Sequence, residues 1–206
     1  TLRVTATDGD ISSTGTLAGQ YINATARRNL TNRGGHILGD TVALTAQTGS
    51  VTLETAIQQT HTGTTRQGDA DYISTSQGDK AIVQAQQLTV VAGQDINVIA
   101  ADITTTENLE LYAGNDINIE AVETRERSAL VSKKYTIIKD TTRHVKSNLN
   151  AGGDFIASAG QDINLVGSSI DAGGDAQLTA ARDVQVAAVQ DKNYSFYNSE
   201  KKGSLG

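Results

Sequence analysis

The sequence predicts a right-handed parallel β-helix, and three observations predict it: an internal repeat of about 21 residues, strict two-residue alternation of apolar positions within each repeat, and a composition suited to a narrow core. Four segments align without gaps, beginning at Leu88, Leu109, Phe155 and Ala176. Each carries A-G-x-D or its variant A-R-D, followed by Ile or Val. The shared aspartates are Asp95, Asp116, Asp162 and Asp183, separated by 21, 46 and 21 residues. A unit of about 21 residues interrupted once by about 25 explains all three intervals. Weaker copies lie at Val42–Ala56, where Gly49-Ser50 occupies the turn, and near Val4, where Asp10 does.

Within a unit the apolar period is two, as in a strand. Leu88, Val90 and Ala92 precede the turn; Ile96, Val98 and Ala100 follow it, with Asn97 between them facing outward. The same pattern recurs at Leu109, Leu111, Ala113, Ile117 and Ile119, with Asn118 outward. Two short strands about a turn, plus a third such as Ser169–Ala172, make one triangular coil of about 20 residues. The chain contains no Pro, Cys, Met or Trp, and aromatics are 4%. Zero Pro suits a backbone whose N–H groups all enter ladders. A leucine-rich solenoid needs a different spacing and a helical return. Lys80–Leu88 is the one plausible helical run, and it merges into a strand.

Three stretches break the repeat, at about 59–79, 124–148 and 191–206. The second has β-rich halves around Lys139-Asp140 and reads as a projecting hairpin. The first reads the same way, more weakly, about Gly68-Asp69, and the third as the ascending arm of another excursion. The rest is one continuous β-helix over 1–206, expected to be a segment of a longer chain because it shows no leader.

Charge is concentrated in the second excursion. Arg125, Arg127, Lys133, Lys134, Lys139, Arg143 and Lys146 stand against Glu126 and Asp140, a net +5 in a chain of net charge −6. With Tyr135 they are the candidate contact residues for a membrane surface or lipopolysaccharide. The competing reading is that an exposed ribbon carries Lys and Arg to stay soluble and block edge pairing. Tyr194, Phe196 and Tyr197 also sit in excursions, available for an interface or for packing on the coil. The acidic total argues against a nucleic-acid partner.

Known chemistries fit poorly. The aspartate column has one Gly and a 21-residue period where calcium-binding nonapeptides need several glycines and a period of nine, so Asp95, Asp116, Asp162 and Asp183 read as turn residues accepting backbone N–H bonds. Acids such as Asp102, Glu107, Glu120 and Glu123 occupy unlike positions, which disfavours a carbohydrate-cleaving groove. His36, His61 and His144 are scattered, and no nucleophile elbow or P-loop occurs. No cofactor, metal or enzymatic activity is expected.

The A-G-x-D-[IV]-x-[VIL] units, Gly167–Asp175 (GSSIDAGGD), the junction Ser147–Asp154 (SNLNAGGD) and the charged excursions together resemble haemagglutinin repeats, most clearly over 88–206. Ser199-EKKGSLG is similar to the Ser/Lys/Gly-rich insert of that family. The resemblance is to the exoproteins of two-partner secretion: filamentous haemagglutinins and contact-dependent growth-inhibition effectors. It implies a secreted, cell-surface, non-enzymatic stalk from the downstream repeat region, exported through an outer-membrane transporter partner. Such a region is associated either with adhesion or with the target cell's outer membrane and toxin passage. The alternatives are a passive spacer and a carbohydrate-active β-helix.

Overall fold

A computed structural model describes residues 1–63, 70–132 and 134–199. The described residues contain strands and no helix. They form two compact units: one of residues 1–56, 78–122 and 146–189, the other of 57–77, 123–145 and 190–206.

The first unit is a parallel β-helix. Two seven-stranded parallel sheets and one six-stranded parallel sheet run through it, the first six coils contributing one strand to each and the seventh a strand to the two larger sheets. Seven rungs result. Their first strands are Leu2–Ala6, Tyr21–Ala26, Thr41–Ala46, Gln87–Ala92, Leu109–Ala113, Phe155–Ala159 and Ala176–Ala180. The register is continuous, so inward positions stack into columns. One column runs Leu2, Ile22, Val42, Leu88, Leu109, Phe155, Ala176. Two residues further along, Val4, Ala24, Leu44, Val90, Leu111, Ala157 and Leu178 stack, and then seven alanines from Ala6 to Ala180. The alanine column sits where the chain turns, leaving no width for a larger side chain. Phe155 is fully buried, and its rung compensates with Ala157 where the three preceding rungs carry Leu44, Val90 and Leu111.

The Lys80–Leu88 run is not helical. Ile82–Ala85 and Gln87–Ala92 are strands of two different sheets, separated by Gln86. Val83 and Ala85 face the core in place of a helical stripe.

The glycine of A-G-x-D has a stacking reason. A Cβ on Gly160 would meet the carbonyl oxygen of Gly114, one on Gly114 that of Gly93, and one on Gly93 that of Gln47. At these three rungs the corner lies so close to the one before that a methyl has no place.

The corner after the second strand alternates along the coil. Rungs 2, 4 and 6 turn it with a left-handed residue: Gly34 (φ 66°), Ala100 (φ 53°) and Gly167 (φ 60°). Rungs 3, 5 and 7 leave the coil there instead, after Ala56, Val122 and Val189. Buried hydroxyls repair the interrupted ladder. Thr55 donates to the Ala100 carbonyl (2.6 Å) and accepts from the Ala81 amide (3.2 Å). Ser147 lies among the Val98 and Glu120 carbonyls (3.0 and 2.8 Å) and accepts from the Ala101 amide (3.2 Å). The coil therefore takes back Gly78, Asp79 and Lys146–Asn148, which the spacing had assigned to excursions.

Candidate functional site

The second unit is built entirely from the excursions, and they do not stand apart. Ile57–Gly63 pairs with Ala70–Gln77 as a first hairpin; Val122–Val131 and Tyr135–Val145 form a second; Lys192–Ser199 is a single strand. One five-stranded antiparallel sheet joins them, the first hairpin through Tyr72 opposite Ser128 and the lone strand through Ile138 opposite Phe196. Excursions recur every two rungs, and a hairpin has two strands. Both advance about 9.6 Å, twice the strand spacing.

None of the described residues of this sheet is buried. It is a single layer, whose side chains alternate between two faces. The cross-strand pair Arg125–Asp140 fixes which residues share a face. Arg125 donates from Nε at 2.9 Å, with a second bond from Nη2. Arg125 and Arg127 therefore face the same way as Asp140, and register places Ile73, Ile138, Tyr194 and Phe196 with them. Lys139 and Arg143 alternate to the opposite face, with Tyr135, Ile137, Tyr197 and Glu126.

The candidate basic residues thus divide between two surfaces. Arg125 is paired, and its hydrogen bonds hold the Asp140 carboxyl below its ordinary pKa, with the charges of Arg125 and Arg127 adding to the effect. Arg127 is half-buried opposite Ile73. Lys134 is exposed near the hairpin turn, where the Ser132 amide donates to the Tyr135 carbonyl (2.9 Å). Lys139 and Arg143 are exposed, and neither forms an ion pair among the described residues. Lys146 belongs to the coil. Lys133, the Gly68-Asp69 turn and residues 200–206 lie outside the described residues. Tyr135, Tyr194, Phe196 and Tyr197 all remain exposed, from 39% to 66%.

The turn aspartates bond between rungs rather than within their own turns. Asp95 Oδ1 accepts the Asp116 amide (3.3 Å), Asp116 that of Asp162 (3.0 Å), and Asp162 that of Asp183 (3.1 Å). The ladder extends upstream with other residues: Asp10 accepts the Asn29 amide (2.9 Å) and Asn29 that of Ser50 (3.0 Å). A second ladder at another corner escaped the reading by spacing. Asn108 accepts the Asp154 amide (3.0 Å), and Asp154 that of Asp175 (2.9 Å). Its 46- and 21-residue intervals repeat those of the first ladder, which was the available signal. A third joins the outward amides Asn97, Asn118 and Asn164 at 3.0 and 2.9 Å. Among the described residues no group of His, Asp and Glu could hold a metal ion, and no helix is long and apolar enough to cross a membrane.

Comparison with known proteins agrees with this anatomy. The Hemagglutinin repeat family model matches twice, over residues 62–138 and 130–206. The two matches start 68 residues apart, one residue from the two-rung period of 67 given by the aspartate spacing. The tRNA nuclease CdiA of Yersinia mollaretii is 32% identical over 154 residues, 70% of this chain. The matched region is 5% of that relative's length. No solved structure matches. The chain belongs to the Hemagglutinin repeat family, as a repeat region of a secreted, cell-surface two-partner-secretion exoprotein of a Gram-negative bacterium.

Proposed function

We propose that this chain is a rigid stalk segment of a large adhesin or contact-dependent toxin-delivery protein, and that its excursion sheet contacts the outer membrane of a target cell. One observation carries the reading: exposed Tyr135 and Tyr197 share a sheet face with Lys139 and Arg143, cations that form no ion pair among the described residues. Tyrosine places its ring at the depth of lipid headgroups, and Lys and Arg attract their phosphates or those of lipopolysaccharide. The opposite face has its own aromatics, but there Arg125 is tied to Asp140. The segment acts mechanically, with stacked rungs for stiffness and the sheet for contact. Any catalytic activity of the parent protein resides outside it, and an outer-membrane transporter exports the parent.

The test is flotation of the purified chain with outer-membrane vesicles containing lipopolysaccharide. A basic residue near an anionic surface contributes about 1 kcal/mol, so Lys139→Glu with Arg143→Glu lowers vesicle affinity about tenfold or more. Arg127→Gln, on the other face, leaves binding unchanged. If the wild-type chain does not float with vesicles, the passive-spacer reading replaces this one.

A further inference from the structure

The strand Ile57–Gly63 ends the excursion sheet on one side, and the coil explains why. Excursions leave rungs 3, 5 and 7 at one corner, so the two-rung period assigns the preceding one to rung 1. Rung 1 turns that corner with Thr14 and Gly15 alone, between the strands Ile11–Ser13 and Thr16–Ala18. Among the described residues no excursion leaves the coil before Ile57–Gly63. Among the described residues the strand pairs on one side only, with Ala70–Gln77.

Exposed sheet edges are ordinarily blunted by Lys, Pro, a bulge or a covering loop. This edge reads Ile-Gln-Gln-Thr-His-Thr-Gly, with no Lys, Arg, Asp, Glu or Pro. Its one titratable side chain, His61, is held by Asp71 of the neighbouring strand at 2.9 Å. Seven consecutive residue pairs, Ile57 with Gln77 through Gly63 with Asp71, run without a bulge. Gln58 to Gly63 are all exposed. Among the described residues the edge runs without a bulge, carries no Lys, Arg, Asp or Glu, and is unpaired on its outer side.

We propose that this edge docks a second copy of the same strand, joining two copies of the chain antiparallel about a two-fold axis through Thr60. That register sets Thr60 against Thr60, Gln59 against His61, Gln58 against Thr62 and Ile57 against Gly63. No like charges meet, and the Thr and Gln pairs are hydrogen-bonding partners across strands. A two-fold contact needs a surface complementary to itself, and this strand is one. The pairing continues the antiparallel order of the sheet. It is independent of the membrane-contact reading.

The chain has no cysteine, so a single introduced thiol reports the contact. Directly opposed Cα atoms in an antiparallel pair lie about 4.5–5.5 Å apart, within disulfide reach. Under mild oxidation, Thr60→Cys forms a covalent dimer about tenfold faster than Asn198→Cys, placed on the opposite edge strand of the sheet. Sedimentation of the wild-type chain over a concentration series shows a dimer. Thr60→Lys, which sets two ammonium groups across the axis, returns it to monomer with an unchanged circular-dichroism spectrum. A wild-type chain that stays monomeric throughout overturns the proposal. So does Thr60→Cys cross-linking no faster than Asn198→Cys, or a dimer that Thr60→Lys leaves intact.

Discussion

Asp95, Asp116 and Asp162 each accept a backbone amide from the following rung, a task that needs an acceptor oxygen and no net charge. Asn29 performs it in rung 2 and Asn108 at another corner. Asp116→Asn therefore changes stability by less than about 0.5 kcal/mol, whereas Asp116→Ala leaves the Asp162 amide unpaired and costs about 1 kcal/mol. Thermal unfolding of the two variants beside wild type checks the difference. A calcium site would give the opposite ranking for Asn, since it would lose a charged ligand. Where a carboxylate also meets a cation or a donor, pH enters. Arg182 hydrogen bonds lower the pKa of Asp162, Arg125 that of Asp140, the Asn29 amide that of Asp10, and His144 that of Asp191. A carboxyl with a depressed folded-state pKa stabilises the fold above its unfolded value and loses that contribution as pH falls through the folded value. The unfolding midpoint contributed by these groups is thus steady from neutral pH to about 5 and declines below about pH 4. A thermal-melt series across pH tests that sign.

Among elements, the coil and the excursion sheet differ in what holds them. The coil buries columns of Leu, Ile, Val and Ala. The sheet buries none of its described residues, so its strands depend on ladder bonds and cross-strand pairs such as Ile138 with Phe196 and Ile137 with Tyr197. An isolated two-stranded hairpin is marginal in water. The central hairpin, with Arg125–Asp140 pinning its two strands, is what both neighbours pair with. Replacing residues 123–145 by Asn-Gly leaves the rungs intact, because the chain enters and leaves the coil at one corner. It strips Lys192–Ser199 of its partner strand and Ala70–Gln77 of one of its two, leaving the latter paired with Ile57–Gly63 alone. In hydrogen-exchange mass spectrometry those two strands lose protection in the variant, while the core strand Ile96–Ile99 keeps its own.

At the scale of the whole molecule, the β-helix was legible because its order is written in side chains. Asp95, Asp116, Asp162 and Asp183 repeat at fixed intervals, and Leu88, Val90, Ile96 and Val98 alternate between them. Rungs 1 to 3 were fainter because Asn29 and Ser50 take the aspartate's place, and because the turns before Ile11 and Val51 hold one residue more than those of the later rungs. The second amide ladder, Asn108–Asp154–Asp175, repeats the same intervals, but it opens on Asn and shares no motif among its three turns. Union of the excursions was not legible at all. Tyr72 against Ser128 is a backbone pairing with no motif. The same division separates Arg125 and Arg127 from Lys139 and Arg143, since a run of basic residues reveals no face until its strands are paired.

Excursions that leave the coil two rungs apart form one continuous sheet, and a single engineered pair tests that union. Tyr72 and Ser128 lie on different excursions, directly opposite one another. In a chain without native cysteine, Tyr72→Cys with Ser128→Cys closes an intramolecular disulfide on mild oxidation, read as a mass loss of about two protons and a monomeric species. Quantitative closure is the result expected of a joined sheet. Two free thiols under the same conditions, in a folded chain, would mean that the excursions stand apart and that no shared contact surface exists.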